Sequence, residues 1–553
     1  MHIKLKALLS ELTQPNQTLS STRIFHALII KNRLSQDPFY ATKIVRFYAI
    51  NNDLISARNL FDETPQRSIY LWNSIIRAYA QSHKFHDAFM LFKHLLISET
   101  RPDNYTFACV ARACAERSDI KALRILHGKL VGFGLELDFI CSSALVNCYS
   151  KLGLIDEASF VFRGIDKPDL VLWNAMISGY GSCGDWTEGI ELFNTMLNTG
   201  MWPDGYTMVG LITGLADHSL LKVGETIHGF SVKCGLVLND HVASVLVSLY
   251  SRCKNMESAC RVFDSLIRAD LISWSALIAG FSQAGDYVKA LSFFRELIMN
   301  GPGPDPILLA TVLSASAQLV TVGPGSEIHA YAIRHECSTE VLVSSALIDM
   351  YAKCGFLGIG VKVFENMPKR NIVSYNSVIS SLGLYGRAPE AFHIFEKILE
   401  EGLKPDETTF VGLLSACCHA GLVNEGRKYF TTMKRVFRIE AKTEHYIHMV
   451  KLLGMDGQLK EAYDLIKSVK GRVDVSVWGA FLSCCNSHKN YEFLEVIAKH
   501  VLENESKDCR YSVMLSNLLA GDGRWDDVKQ LRGDNGGAKG KMPGISWISD
   551  MSR

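Results

Sequence analysis

A chain that repeats itself at one fixed interval does not fold around a single centre, because each copy has to pack against the next in the same way. This sequence repeats every 101 residues. Trp72, Trp173, Trp274 and Tyr375 stand one step apart, as do Pro102, Pro203, Pro304 and Pro405. The same step links Asp103, Asp204, Asp305 and Asp406, then Phe92, Phe193, Phe294 and Phe395, and finally His26, His127, His228 and His329. Five sets of positions in one register establish the period.

Each period holds three units of about 31, 35 and 35 residues: 38–68, 69–103 and 104–138, then 139–169, 170–204 and 205–239, then 240–270, 271–305 and 306–340. A last cycle runs 341–371, 372–406 and 407–442, and an extra 35-residue unit opens the chain at 3–37. Each unit reads as two helices. In 69–103, Trp72, Ile75, Ile76 and Tyr79 fall at helical spacing. After the break at 81–85, Ala88, Leu91, Phe92 and Leu95 form an i, i+3, i+4, i+7 stripe. Pro102 then ends the helix, since proline cannot continue it. A small residue recurs in the second stripe as Ala88, Gly189, Ala290 and Ala391, where it lets helices approach closely. One hairpin cannot bury its own stripe, but stacked hairpins bury each other's. The expected fold is therefore an all-α solenoid of helix-turn-helix repeats with a concave face.

Composition agrees and narrows the function. The 553 residues are too many for one compact core, and 48% apolar with 21% charged residues exclude a disordered chain. The 58 basic and 57 acidic residues leave a net charge of +1, so any attraction to a polyanion has to come from local charge placement. The 15 cysteines include no C-x-x-C pair, which points to a reducing compartment and to cysteines acting as small hydrophobes. The longest uncharged stretch, 306–326, is broken by Pro324 and polar residues, and no membrane span is expected. Lys4 and Lys6, with no acid before Glu11, give a weak targeting signal.

No catalytic motif is present: there is no H-E-x-x-H, no G-x-x-x-x-G-K-[ST] and no H-x-E, so neither an enzyme nor a cofactor is expected. The periodic histidines lie a full cycle apart and cannot share a metal ion. They are expected to pack or hydrogen-bond in the second helix of the third unit. The periodic tryptophans and phenylalanines are expected between hairpins rather than as base-stacking platforms.

Two positions per unit are polar where packing does not ask for it. One is the fifth residue, on the first helix: Asn73, Asn174, Ser275 and Asn376 in the middle units, and Thr42, Ser143, Ser244 and Ser345 in the short ones. The other is the last residue: Asp103, Asp204, Asp305 and Asp406, and Ser68, Asp169, Asp270 and Asn371. In the third unit type the fifth residue is apolar: Ala108, Val209, Ala310 and Val411. Helix capping explains the last residue but explains poorly an Asn or Ser inside a first helix. A row of amides and hydroxyls on successive repeats can face successive base edges.

Residues 172–180, Leu-Trp-Asn-Ala-Met-Ile-Ser-Gly-Tyr, 349–355, Asp-Met-Tyr-Ala-Lys-Cys-Gly, and 413–423, Leu-Leu-Ser-Ala-Cys-Cys-His-Ala-Gly-Leu-Val, closely resemble the pentatricopeptide repeat family. The likeness is to its plant subclass with alternating short, standard and long repeats, and it covers nearly the whole chain. It implies a right-handed superhelical solenoid that binds single-stranded organellar RNA, one base per repeat. The fifth and last residues act as a pair: Asn with Asp favours U, Ser or Thr with Asp favours G, and Ser or Thr with Asn favours A. Asn73/Asp103 then implies U, Ser143/Asp169 G, Asn174/Asp204 U, Ser244/Asp270 and Ser275/Asp305 each G, Ser345/Asn371 A, and Asn376/Asp406 U. The long repeats do not discriminate and Thr42/Ser68 has no assignment. The implied target is U-n-G-U-n-G-G-n-A-U.

Residues 477–483, 515–518 and 541–548 resemble the extension that follows the repeats in this subclass, and a member without the deaminase-like domain is expected. The expected division is 1–37, an opening long-type repeat with little or no targeting segment; 38–474, the repeats; 475–531, the extension; and 532–553, a short tail. The glycine-rich run at 533–540 departs from the family pattern there. Shortened members of this kind imply C-to-U RNA editing, with a deaminase-bearing partner acting in trans, in the mitochondrion or alternatively the chloroplast. Competing readings are RNA stabilisation, splicing or translation on the same fold, and a protein–protein scaffold.

Overall fold

The computed structural model describes residues 18–32, 34, 37–469, 473–488, 492–493, 496–497 and 509–534. Among them are thirty α-helices, one 3-10 turn at Leu236–Leu238 and no strand. The chain is all-α, built of helix-turn-helix repeats. It divides into two compact units, residues 1–284 and 285–553. The glycine-rich run from 535 onward, the tail match at 541–548 and the N-terminal lysines lie outside the described residues. None of the described helices is long and apolar enough to cross a membrane.

The sequence units open the helices. In the first compact unit the first helices are Pro38–Ile50, Ile69–Gln81, Asn104–Glu116, Phe139–Lys151, Leu170–Cys183, Gly205–Asp217, Asp240–Arg252 and Leu271–Gln283. Each starts at the first residue of its repeat. The second helices follow after short turns, for example Phe85–Ile97 and Ile120–Gly132. In the second compact unit Pro306–Leu319, Val341–Lys353, Ile372–Leu384, Glu407–Ala420, Thr443–Met455 and Val475–Ser487 play the same part. Within each unit the first helices pack on one another in succession. Most second helices pack on their own first helix and on the next one. The second helices thus cover one side of the first-helix row and leave the other side open.

The repeat boundary is a helix cap. Helix N-termini leave backbone N–H groups without partners, and the last residue of the preceding repeat supplies an acceptor. Asp138 accepts from Cys141 N–H at 3.0 Å, Asp169 from Leu172 N–H at 2.8 Å and Asp305 from Leu308 N–H at 2.8 Å.

The periodic aromatics are core residues. Trp72, Trp173, Trp274 and Tyr375 are buried. Each meets the edge of a phenylalanine from the preceding second helix: Phe61, Phe162, Phe263 and Phe364, at centroid distances of 4.7 to 5.1 Å. Glycine permits the closest crossing of first helices. A Cβ on Gly214 would stand 2.5 Å from the Gly181 Cα on the neighbouring helix, so alanine there forces two backbones apart. Gly189 meets only ordinary contacts within its own hairpin.

The periodic histidines hydrogen-bond across repeats, as their spacing predicts. Nδ1 of His26, His127, His228 and His329 lies 2.8 to 3.0 Å from the hydroxyl of Tyr48, Tyr149, Tyr250 and Tyr351 on the next first helix. Burial lowers the pKa of all four imidazoles. An unfolded imidazole titrates near about 6.5. A folded value below it means that the stability these groups contribute is fully present above that pH. It is lost as pH falls through the folded values. The melting temperature is expected to fall between about pH 7 and pH 5. Exchanging all four (His26→Gln, His127→Gln, His228→Gln and His329→Gln) should flatten that fall in thermal melts. An unchanged slope would contradict the assignment.

Candidate nucleic-acid interface

The fifth and last residues meet through the next repeat. In the repeat 170–204, Asn174 sits on Leu170–Cys183 and Asp204 caps Gly205–Asp217. Asn174 Nδ2 donates to Asp204 Oδ1 at 3.0 Å, and the Thr207 hydroxyl donates to Asn174 Oδ1 at 2.5 Å. Asp204 Oδ1 also accepts from Thr207 N–H at 2.9 Å, while Asp204 N–H donates back to the Thr207 hydroxyl at 3.1 Å. The result is a closed triangle of fifth residue, last residue and third residue of the following repeat. The same triangle joins Asn73, Asp103 and Thr106, with Asn73 Nδ2 at 2.9 Å from Asp103 Oδ1. It recurs at Asn376, Asp406 and Thr409, again at 2.9 Å. Ser244, Asp270 and Ser273 make a hydroxyl version: Ser244 Oγ reaches Asp270 Oδ1 at 3.1 Å and Ser273 Oγ reaches Ser244 Oγ at 2.8 Å.

The other pairs are arranged differently. Ser143 and Asp169 make no hydrogen bond to each other; the Ser143 hydroxyl is buried without a partner, and Leu172 stands where Thr207 closes the triangle. The Ser345 hydroxyl bonds the Val341 carbonyl at 2.7 Å, and Asn371 forms a capping box with Ser374. Ser275 belongs to the first compact unit and Asp305 to the second, where Asp305 caps Pro306–Leu319. Thr42 bonds the Pro38 carbonyl at 2.6 Å, the same turn back along its own helix.

These contacts amend one expectation. The fifth residue is not a polar group without a structural role. Asn376 is only 6% exposed, and Ser143, Ser244 and Ser345 are also buried. In the triangles the amide ties the cap of one repeat to the first turn of the next. Its hydrogen-bonding capacity still exceeds what the triangle consumes. An amide has two N–H donors and two carbonyl lone pairs. In Asn174 one donor goes to Asp204 and one lone pair to Thr207. One N–H and one lone pair remain, side by side.

A second set of residues escapes a reading based on polarity. The second residue of most repeats is apolar and exposed: Tyr70 at 72%, Tyr206 at 74%, and likewise Tyr105, Val171, Ile272, Ile307, Leu342 and Val373. It lies three residues before the fifth position, on the same helix face. A hollow of about 620 Å³ brings Tyr70 and Tyr105 together with Asn73 and Asp103. The signal in the sequence is a large apolar residue two positions after the cap, outside the buried stripe. Among the described residues no cluster of side chains is arranged to hold a metal ion.

Fold and site define a modular helical-repeat protein that offers a polar pair in two of every three repeats and an exposed apolar side chain in most. Comparison with known sequences gives the family. Residues 67–116, 168–217 and 370–419 match the PPR repeat family, and 140–167, 242–271, 272–302, 343–372 and 408–436 match single PPR repeats. Residues 488–549 match the E motif. A pentatricopeptide repeat-containing protein of Arabidopsis thaliana is 49% identical over 547 residues, covering 99% of both chains. A mitochondrial pentatricopeptide repeat-containing protein of the same plant is 32% identical over 93% of this chain and 75% of its own length. The crystal structure of the pentatricopeptide repeat protein PPR10 from maize superposes with a TM-score of 0.52 at 16% identity, covering 93% of this chain and 81% of that one. This chain belongs to the pentatricopeptide repeat family, in its plant subclass of alternating repeats with a C-terminal E motif.

Thr207→Val keeps the shape and removes the hydroxyl. Asn174 Oδ1 and Asp204 N–H each lose a partner, and stability should drop by about 1–2 kcal/mol. Amide exchange should quicken in the first turn of Gly205–Asp217. Thr213→Val, on the exposed face of the same helix, should change stability by less than about 0.5 kcal/mol. Equal effects from the two would show that the triangle contributes nothing.

Proposed function

We propose that the array binds single-stranded organellar RNA with one base read per repeat, by the pairs Asn73/Asp103, Ser143/Asp169, Asn174/Asp204, Ser244/Asp270, Ser275/Asp305, Ser345/Asn371 and Asn376/Asp406. The observation that carries this is the surplus of the Asn triangle. One N–H beside one carbonyl lone pair complements uracil, whose edge sets an N3–H beside a carbonyl oxygen. In Ser244 and Ser345 the hydroxyl is turned to its own helix, and in Ser244 also to the neighbouring cap, and the shorter side chain leaves room for a purine. The exposed apolar residue at position two supports the base from the side. The order of pairs gives U-n-G-U-n-G-G-n-A-U.

The E motif at 488–549 favours C-to-U editing over stabilisation, splicing or translation as the purpose of binding. In this reading the chain is a non-catalytic site-recognition factor in a mitochondrion or chloroplast, and a deaminase-bearing protein acts in trans.

Binding of the full chain to the target RNA and to a scrambled RNA tests the first claim; a clear preference for the target is expected, and equal affinities would refute it. Asn174→Ala should cost roughly 1–2 kcal/mol, confined to one nucleotide. For the second claim, organelle transcripts from plants lacking the protein should lose one C-to-U event. Intact editing with altered transcript ends or splice products would assign the binding to another purpose.

A further inference from the structure

We propose that Arg46, Arg77 and Arg112 form a ladder that grips successive phosphates of the bound strand, so that three repeats near the N-terminal end anchor the whole array electrostatically. This rests on the RNA-binding reading above and adds to it the element that holds the backbone rather than the bases.

Each of the three is the ninth residue of its repeat, on the first helices Pro38–Ile50, Ile69–Gln81 and Asn104–Glu116. The ninth position lies one turn beyond the fifth, on the same face. Arg46 and Arg77 line the hollow that holds Tyr70, Asn73, Asp103 and Tyr105. Arg77 and Arg112 line the neighbouring hollow, of about 510 Å³, together with Tyr105 and Ile140. Arg77 is therefore shared by both, and the three guanidinium groups run beside the reading row.

All three are exposed, and among the described residues none is held in an ion pair. Arg77 rests beside the Cys109 thiol. The carboxylates nearby are engaged elsewhere. Asp103 accepts from Asn73 and Thr106, and Glu116 pairs with Lys151 at 2.6 Å. A guanidinium offers a planar fork of N–H donors that fits two phosphate oxygens at once.

The ladder stops after three rungs. From Asn147 to Ser415 the ninth position carries no basic residue. Its only charged member there is Asp349, which pairs with Lys353 at 2.8 Å. A chain with a net charge of +1 has no general attraction for a polyanion, so a local basic row has a large share of the task.

The test is the salt dependence of binding to the target RNA by the full chain. Three phosphate contacts to a single strand steepen the slope of log affinity against log salt by about 2. The variant Arg46→Gln, Arg77→Gln, Arg112→Gln should lose that part of the slope while keeping its base preference. Over a four-fold rise in salt the native chain then loses roughly fifteen- to twenty-fold more affinity than the variant. A control, Arg58→Gln, Arg124→Gln, Arg261→Gln, removes equal charge from second helices and should leave the slope unchanged. Circular dichroism confirms that both remain folded. A ladder variant with the native slope, in a chain that still prefers its target, overturns the ladder alone. A native chain with no RNA preference overturns the base reading and the ladder together.

Discussion

The structure depends on the hydrogen bond by which the last side chain of one repeat caps the first helix of the next. Helix ends are where an all-α array is most exposed to loss, because their N–H groups have no partner within the helix. Here the missing acceptor comes from the preceding repeat: Asp103 serves Thr106, Asp204 serves Thr207 and Asp406 serves Thr409. The cap sets where each helix begins, and so places the fifth residue one turn further along. In the Asn triangles the fifth residue then reaches back to the same carboxylate. On the proposed RNA-reading role, stacking and reading use the same atoms. A change of the fifth residue in these repeats is therefore also a change in the joint between two repeats.

Around that joint the packing is repetitive and local. Phenylalanine edges meet Trp72, Trp173, Trp274 and Tyr375, and the histidine–tyrosine bonds recur at the same step. Stability in such an array is a sum of repeat and neighbour terms rather than one global core. Charges at the C-terminal ends of neighbouring first helices are paired, as between Glu116 and Lys151 and between Asp217 and Arg252.

Much of the fold is legible in the sequence because the period and the helix stops are both written in residue types. First helices begin at residues 69, 104, 170 and 205, where the units placed by Pro102, Asp103 and the aromatic positions begin. Periodic histidines and tryptophans turn out to be packing and hydrogen-bonding residues, as their spacing suggests. The candidate site is less legible. Asn73 looks like a polar residue that packing does not require, because its partners, Asp103 and Thr106, lie 30 and 33 residues away in sequence. The third-position hydroxyl that closes the triangle is a helix-start residue by any local rule. The exposed Tyr70 and Tyr206 are apolar and give no sign of function until their exposure is known.

The central claim is that the fifth residue selects the base at its own repeat. Selection from a randomised RNA pool by the native chain and by Asn174→Ser tests it directly. The account predicts that one nucleotide, the one assigned to the repeat 170–204, changes from U to G while all others are retained. An unchanged enriched sequence, or an even loss of preference across every position, would contradict it.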